Sequence, residues 1–243
     1  MKILVCITQV PDTTTRISFT GNAFNAAGVQ FIINPYDEIA LTRALELKET
    51  LGGSVTAITV GKPDTEANLR KALAIGADDA IRVNADATDA YFVAAQIADV
   101  AKKNGYELVL AGKESIDYNG SEVGSMIAAM LDVPFVGMAS RLVVEGEKVT
   151  LDREIEGGKE ILESTLPLVA SAQKGMAEPR IPNMRGIMSA RTKPLQVLEP
   201  AAADALTAVI SYEMPPAKAA CKMVPADNPA LLIELLHNEA KVI

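Results

Sequence analysis

The sequence predicts a doubly wound α/β fold with a mostly parallel sheet, and two observations support this prediction. Continuous apolar runs at residues 3–7 and 55–60 are typical of strands that are buried on both faces of a parallel sheet. Between such runs lie segments whose apolar residues recur at helical spacing and which end at glycines. This alternation of strand and helix builds βαβ units with right-handed crossovers.

Strands and helices alternate through the first 135 residues. The strands are predicted at residues 3–7, 55–60, 80–83 and 108–111. The helices are predicted at residues 40–51, 65–74, 92–103 and 122–131, and Gly52, Gly76 and Gly105 follow the first three. Asp64 or Thr65 is expected to cap the second helix, because short polar side chains satisfy free amides there.

The pattern changes after Pro134. Short extended segments at 142–144, 148–151 and 161–168, with turns between them, predict a small β-rich cap from about residue 135. We therefore expect residues 1–199 to form a nucleotide-binding α/β domain that includes this cap. Residues 200–243, rich in Ala and Pro, are expected to form an extended C-terminal arm with a terminal helix at 229–239 that packs on another subunit. A disordered tail is the alternative.

Composition and charge argue against several classes of protein. The chain has 31 acidic and 23 basic residues and a formal net charge of −8, which argues against general binding of nucleic acid. No signal peptide is recognisable, and no apolar run approaches the roughly 18 residues of a membrane span. Cys6 and Cys221 stand in no metal or redox spacing. We expect a cytoplasmic protein without a membrane span.

A ligand is expected beyond the carboxyl ends of the strands, where open α/β sheets bind ligands. Three loops lie there, at residues 8–13, 60–63 and 112–124. The third begins with a glycine directly after a strand and ends at a predicted helix N-terminus near Ser121, where free amides would favour a phosphate. The alternative is an ordinary connecting loop in which Ser121 only caps its helix.

Groups suited to catalysis are scarce. The single histidine, His237, lies in the predicted terminal helix with no nucleophile near it in sequence. The sequence also contains no Ser-His-Asp pattern and no metal-ligand spacing. The residues therefore indicate a nucleotide-binding protein that binds rather than catalyses.

Residues 178–198, which we call the basic–apolar segment, interleave cations with flexible apolar side chains. Prolines at 179, 182 and 194 bound short stretches of it. The cations and the apolar residues are Arg180, Arg185, Arg191 and Lys193, and Ile181, Met184, Ile187 and Met188. Such a composition suits a short exposed element that binds a partner. A connector with a solvated basic face is the alternative.

Several motifs together resemble the β subunit of electron-transfer flavoprotein. They occur in the order of that family along nearly the whole chain: KILVCITQVPDT, INPYDEIALTRALELKE, LRKALAIGADDAIRV, GKESIDYNGSEVG, LDREIEGG with TLPLVAS, and EPRIPNMRGIMSARTKPL. The resemblance implies a Rossmann-like, adenine-nucleotide-binding fold and a heterodimer with an α subunit that holds a redox-active FAD. It also implies that the chain is an electron carrier subunit, without catalytic residues or a metal site. Electrons would pass from acyl-CoA dehydrogenases of fatty acid oxidation, and from related dehydrogenases, to an acceptor quinone oxidoreductase.

The resemblance also implies a nucleotide site in this chain. Its residues would be Cys6, Asn34, Pro35, Tyr36, Asp37, Val60, Gly112, Lys113, Ser115, Asp117, Asn119, Gly120, Ser121, Glu122 and Val123. Family members that bind AMP have Asn-Gln-Thr where this chain has Ser121-Glu122-Val123, so Glu122 would repel a phosphate unless it points away. We favour AMP as the ligand; a second FAD, as in electron-bifurcating members, is the alternative.

The basic–apolar segment would correspond to the loop with which the family anchors its dehydrogenase. Its docking residues would be Met184, Arg185, Ile187, Met188 and Arg191. Met184 stands where a leucine is usual, so an apolar anchor is kept. A stand-alone adenine-nucleotide sensor of similar fold is a further alternative, although such a sensor would need neither this segment nor the arm.

Overall fold

A computed structural model describes residues 1–21, 23–218 and 220–243. Its centre is a nine-stranded sheet in the order β11-β10-β9-β12-β8-β1-β6-β7-β13. The strands are β1 (Lys2–Cys6), β2 (Gln9–Pro11), β3 (Phe19–Thr20), β4 (Ala23–Phe24), β5 (Phe31–Ile33), β6 (Ser54–Val60), β7 (Asp79–Val83), β8 (Leu108–Gly112), β9 (Phe135–Glu145), β10 (Lys148–Ile155), β11 (Gly158–Thr165), β12 (Leu168–Ala172) and β13 (Leu195–Leu198). The run from β9 to β13 in the sheet is parallel, whereas β10 pairs antiparallel with β9 and β11. The predicted fold class is confirmed.

Helices cover both faces of this sheet, as the doubly wound prediction requires. They are α1 (Pro35–Leu51), α2 (Glu66–Ile75), α3 (Ala90–Asn104), α4 (Val123–Leu131), α5 (Met184–Ala190) and α6 (Pro229–Glu234). Successive side chains of β1 show the two faces: Ile3 and Val5 lie in the core under α1 and α2, whereas Leu4 and Cys6 lie in the core under α3 and α4. The alternation follows from the period of two in a strand.

The β-rich segment predicted from about residue 135 is present, and its strands are longer than expected. These strands extend the main sheet instead of covering it. The single extended segment expected over residues 161–168 is wrong, because β11 ends at Thr165 and β12 begins at Leu168 as a strand between β9 and β8. Pro167 lies at the break, where its missing N–H prevents continuation of the ladder.

The helix ends predicted from glycines are confirmed, whereas the predicted N-terminal cap of α2 is not. Gly52, Gly76 and Gly105 each follow the last residue of a helix, and Gly105 has the left-handed conformation that glycine tolerates best. At the start of α2, however, neither expected cap forms a side-chain cap bond: the Thr65 hydroxyl donates to Lys62 O at 2.8 Å and Asp64 accepts from Gln9 at 2.9 Å.

The first part of the C-terminal arm lies on the chain's own α/β domain. The amide of Ala201 donates to the Gln96 side chain at 2.7 Å, and the amides of Leu206 and Thr207 donate to Asp89 at 2.6 and 2.8 Å. Beyond these contacts lie α6 and a short π-helix, Leu235–Ala240, where the terminal helix was predicted. The division into two domains and the packing of the arm on another subunit stay predictions. No helix in the described ranges is long and apolar enough to cross a membrane.

Candidate functional site

A cleft of about 1220 Å³ opens at the carboxyl ends of the parallel strands, where a ligand was expected. Its walls come from all three predicted loops, which follow β1, β6 and β8, and from the loop after β7. Residues 206–209 and Tyr212 of the arm close one side, and the Tyr212 ring stacks on Phe19 at 4.9 Å between ring centres. The arm therefore contributes directly to the mouth of this cleft.

Most of the predicted nucleotide-site residues line the cleft. They are Cys6, Asn34, Asp37, Val60, Gly112, Ser115, Asp117, Gly120, Ser121, Glu122 and Val123. Pro35, Tyr36, Lys113 and Asn119 do not line it. Instead, the Lys113 ammonium lies 4.8 Å from the centre of the Tyr36 ring, and the Asn119 amide donates to Ser115 O at 2.8 Å within the loop. For these four residues, contact with a ligand stays a prediction.

The buried carboxylate of Asp37 holds two of the cleft loops together. One oxygen accepts the Thr8 amide, just after β1, at 2.7 Å, and the other accepts the Gly112 amide, at the end of β8, at 2.8 Å. Gly112 must be glycine for this contact, because a Cβ there would lie 2.4 Å from the Asp37 oxygen. Asp37 thus fixes the spacing of two strand ends at the floor of the cleft.

Asn34 extends this network into the 112–124 loop. Its side-chain amide donates to Glu114 O at 2.9 Å, and its carbonyl accepts the Ile116 amide at 3.4 Å. Its own backbone amide donates to Thr8 O at 2.9 Å. Asn34 and Asp37, at the start of α1, therefore connect two of the three loops expected to contact a ligand, at residues 8–13 and 112–124.

Burial changes the acidity of the two groups at the cleft floor. Desolvation raises the pKa of Asp37 from 3.8 to about 6, although the hydrogen bonds from Thr8, Asn34 and Gly112 act in the opposite direction. Burial, and secondarily the nearby Asp37, raises the pKa of the Cys6 thiol. Cys6 is therefore a neutral thiol rather than a reactive thiolate.

The expected phosphate-binding end of the 112–124 loop contains a carboxylate that turns back on the loop. Helix α4 begins at Val123, and Ser121 does not cap it, so the capping role expected of Ser121 is wrong, whereas an ordinary connecting loop stays the alternative. Instead, Glu122 occupies the cap position, and its Oε2 accepts the Ser121 amide at 3.1 Å. The amide that was expected to face a phosphate is thus already bonded to a carboxylate.

The lining of the cleft is strongly acidic. In the part of the chain that the structure describes, one lysine, Lys62, contributes to it, and Lys62 lies 3.5 Å from the carboxylate of Asp86. The acidic lining residues are Asp12, Asp37, Asp64, Asp86, Asp89, Glu114, Asp117 and Glu122. Lys62 was not named among the predicted site residues, although it lies in the predicted 60–63 loop, two residues after β6 ends. Nothing in the sequence near residues 206–209 and Tyr212 of the arm indicated that they would line the cleft.

The basic–apolar segment contains a short exposed element, as the sequence predicted, and this element is helix α5. Helix α5 begins after Asn183, whose side chain accepts the Gly186 amide at 2.8 Å. Met184 is 73% exposed and Met188 is 68% exposed, and Ile187, Arg185 and Arg191 are exposed as well. Apolar and cationic side chains therefore share one solvent-facing surface.

Two of the four cations in this segment have structural partners. Arg180 forms a bidentate pair with Glu49 at 2.5 and 2.8 Å, and Lys193 donates to backbone carbonyls of Leu73 and Ala77. Arg185 and Arg191 form no ion pair with any residue in the described ranges. Only these two remain available to steer a partner.

Comparisons with known proteins assign the chain to a family. A family model described as the electron transfer flavoprotein domain matches residues 21–203. The chain is 36% identical over 257 residues to electron transfer flavoprotein subunit beta of Bacillus subtilis, with all of both chains covered. It is 35% identical over 232 residues to the human subunit beta, covering 90% of this chain and 91% of the human one. It is also 36% identical over 214 residues to protein FixA of Azotobacter vinelandii, covering 84% and 76%.

The raised pKa of Asp37 predicts a specific pH dependence of stability. The folded protein holds the Asp37 proton up to about pH 6, whereas the unfolded chain releases it near 3.8. Charging Asp37 therefore costs the folded state up to ~3 kcal/mol as the pH rises through that window, at about 1.4 kcal/mol per unit. Asp37→Asn does not titrate, so the free energy of unfolding of the unsubstituted protein should fall relative to the variant between about pH 4 and 6 and then stay level.

Urea unfolding of both proteins at several pH values from 4.5 to 8 measures this difference. The lost hydrogen bond of the variant shifts its stability equally at every pH, so only the slope is diagnostic. A difference that does not change with pH, or that rises as the pH rises, would show that Asp37 is not the buried titrating carboxyl.

Proposed function

This chain belongs to the electron transfer flavoprotein family as a β subunit, and from that premise we propose that it binds AMP in its cleft and docks acyl-CoA dehydrogenases through the basic–apolar segment. The family implies an α subunit as partner and flavin in the complex. FAD in the α subunit would supply the redox chemistry. The β subunit would position that domain, hold a nucleotide and present a docking surface.

The cleft at the carboxyl ends of the strands supports the nucleotide assignment most strongly. Apolar walls from Ile7, Ile58 and Val60 suit a base and a ribose, and the loops tied by Asn34 and Asp37 are largely preformed. AMP would act there as a structural ligand. Amides near Gly120 remain as candidate donors to its phosphate.

A second FAD, as in an electron-bifurcating subunit, is the second candidate, and the size of the cleft favours it. About 1220 Å³ exceeds the roughly 300–1,000 Å³ of common ligand pockets, so a dinucleotide also has room. The carboxylate of Glu122 at the expected phosphate end also makes a lone phosphate monoester a less favourable ligand than in relatives with neutral side chains.

Docking would use the exposed face of α5. Interface energy concentrates in a few apolar anchors, and Met184, Ile187 and Met188 form such a group beside Arg185 and Arg191. The rim cations would mainly accelerate encounter with an acidic surface. The resulting route runs from acyl-CoA dehydrogenases to an acceptor quinone oxidoreductase in the cytoplasm.

The arm supports a heterodimer over a stand-alone sensor. It exposes Leu206, Val209, Met214 and Met223 in a chain that otherwise buries a large core. Apolar groups of this size on one extended segment indicate a partner that covers them. We propose that the α subunit does so, while residues 206–209 and Tyr212 also line the cleft.

Our first prediction here concerns ligand content. The chain co-expressed with its α subunit should copurify as a yellow heterodimer that releases one FAD and one AMP on denaturation, as measured by absorbance and mass spectrometry. Two FAD and no AMP would establish the bifurcating candidate instead. A stable, colourless single chain that does not bind an α subunit would contradict both candidates.

The second prediction concerns Glu122. Glu122→Gln keeps the side-chain size but removes the charge beside the expected phosphate, so it should strengthen AMP binding by about tenfold, equivalent to ~1.4 kcal/mol. Calorimetry on nucleotide-free heterodimer measures this affinity, and adenosine, which has no phosphate, serves as the control ligand. Unchanged or weaker AMP binding would place the phosphate away from this loop.

The third prediction concerns docking. Met184→Ala should weaken the complex with an acyl-CoA dehydrogenase by ~1–3 kcal/mol, because it removes an exposed apolar anchor. Stopped-flow reduction at limiting carrier measures the loss, and flavin content should not change. Ile161→Ala, an exposed apolar residue on the edge strand β11 at the opposite end of the sheet, is the control. Equal effects of both variants would rule out a docking role for the segment.

A further inference from the structure

Two cations join helices α5 and α2. One lies on α2 and binds the end of α5, and the other follows α5 and binds the end of α2. Arg70 of α2 donates from Nη1 to the carbonyls of Ala190, at the end of α5, and Lys193, at 2.8 Å each. In return, Lys193 donates from Nζ to the carbonyls of Leu73 at 2.9 Å and Ala77 at 2.6 Å. Each helix C-terminus thus receives a cation from the other element.

These contacts satisfy groups that helices leave unpaired. The last carbonyls of a helix have no partner within it and carry the negative end of its dipole, so a cation there is favourable. The Lys193 ammonium is partly buried, and desolvation lowers the pKa of Lys193. Lys193, a lysine of the basic–apolar segment, therefore binds backbone carbonyls of its own chain instead of facing solvent as a free surface cation.

Close packing fixes the rotation of α5 as well. A Cβ on Gly186 would lie 2.2 Å from the carbonyl oxygen of Ala74, and Ala190, one turn later, is buried in the core. Residues four apart lie on the same face of a helix, so Gly186 and Ala190 define the inner face. Met184 and Met188, also four apart, are consequently held on the outer face.

A helix of seven residues does not persist on its own in water, so the orientation of α5 depends on these contacts. We propose that Arg70 and Lys193 are positioning residues for docking: they hold α5 in the orientation that presents Met184 and Met188 to the dehydrogenase. The proposal rests on the docking role argued above. An anchor that is already oriented loses less freedom on binding than one on a mobile loop.

The test compares neighbouring residues of the same helix in the α–β heterodimer. Arg70→Met removes the contacts to the segment, whereas Lys71→Met removes a cation that pairs with Glu38 of α1 at 2.6 Å and is the matched control. Arg70→Met should raise the KM for the carrier in the acyl-CoA dehydrogenase assay about tenfold, with kcat within about twofold. Lys71→Met should leave both values near those of the unsubstituted heterodimer. Lys193→Met repeats the test if Arg70→Met does not fold.

Two further readouts separate positioning from general stability. Hydrogen exchange of the amides in α5 should accelerate in Arg70→Met and not in Lys71→Met. In a background that lacks both anchors, Met184→Ala with Met188→Ala, Arg70→Met should add less than about twofold to KM, because it acts through anchors that are already missing.

The outcomes are distinguishable. If Met184→Ala weakens docking but Arg70→Met and Lys193→Met do not, or if their effects are as large without Met184 and Met188, the positioning role is wrong while the docking role stands. If Met184→Ala itself leaves docking unchanged, the docking role is wrong, and the positioning proposal is overturned with it.

Discussion

The cleft depends on one buried carboxylate. Parallel strands end with amides that have no partner in the sheet, and Asp37 accepts two of them, from Thr8 and Gly112, at the first turn of α1. The positive end of that helix favours a carboxylate, while burial opposes its charge and raises the pKa of Asp37 to about 6. Holding the two strand ends together therefore requires a carboxylate in the core, where burial disfavours its charge. The contact between Asp37 and the Gly112 amide is possible because Gly112 has no Cβ.

The same physical problem, unpaired backbone groups at the ends of elements, is solved with the opposite charge at α5. There the groups are carbonyls, and the side chains that satisfy them are the cations Arg70 and Lys193. Helix α2 connects the two regions, because it begins beside the cleft residue Thr65 and ends under α5. A rigid βαβ unit thus supports both proposed functional surfaces, which is the usual arrangement for loops that carry function.

Sequence reasoning succeeded where the signal was local. Apolar runs identified β1, β6, β7 and β8 of the main sheet but not the short strands β2 to β5. Glycines identified the helix ends, and the motif around Asn34 and Asp37 identified residues that line the cleft. It failed where the partner is distant in the chain. Nothing near Lys193 indicates that its ammonium binds the end of α2, so it was grouped with surface cations. Likewise, β12 was predicted as the end of an extended segment of the β-rich cap, because only pairing with β8 and β9 reveals it as an internal strand of the main sheet.

The cleft is lined mostly by acidic side chains, whereas the exposed face of α5 carries cations without an ion-pair partner in the described ranges, and the acidic lining limits what the cleft can bind. With Lys62 as the only lysine or arginine in the described lining, the phosphate of a nucleotide would meet mostly carboxylates and backbone amides. The amide of Ser121 is already bonded to Glu122. Any affinity for a nucleotide would therefore come chiefly from apolar walls around a base and ribose, and from amides that Glu122 leaves free. The exposed cations Arg185 and Arg191 lie on the other proposed surface, where a protein partner rather than a phosphate would meet them.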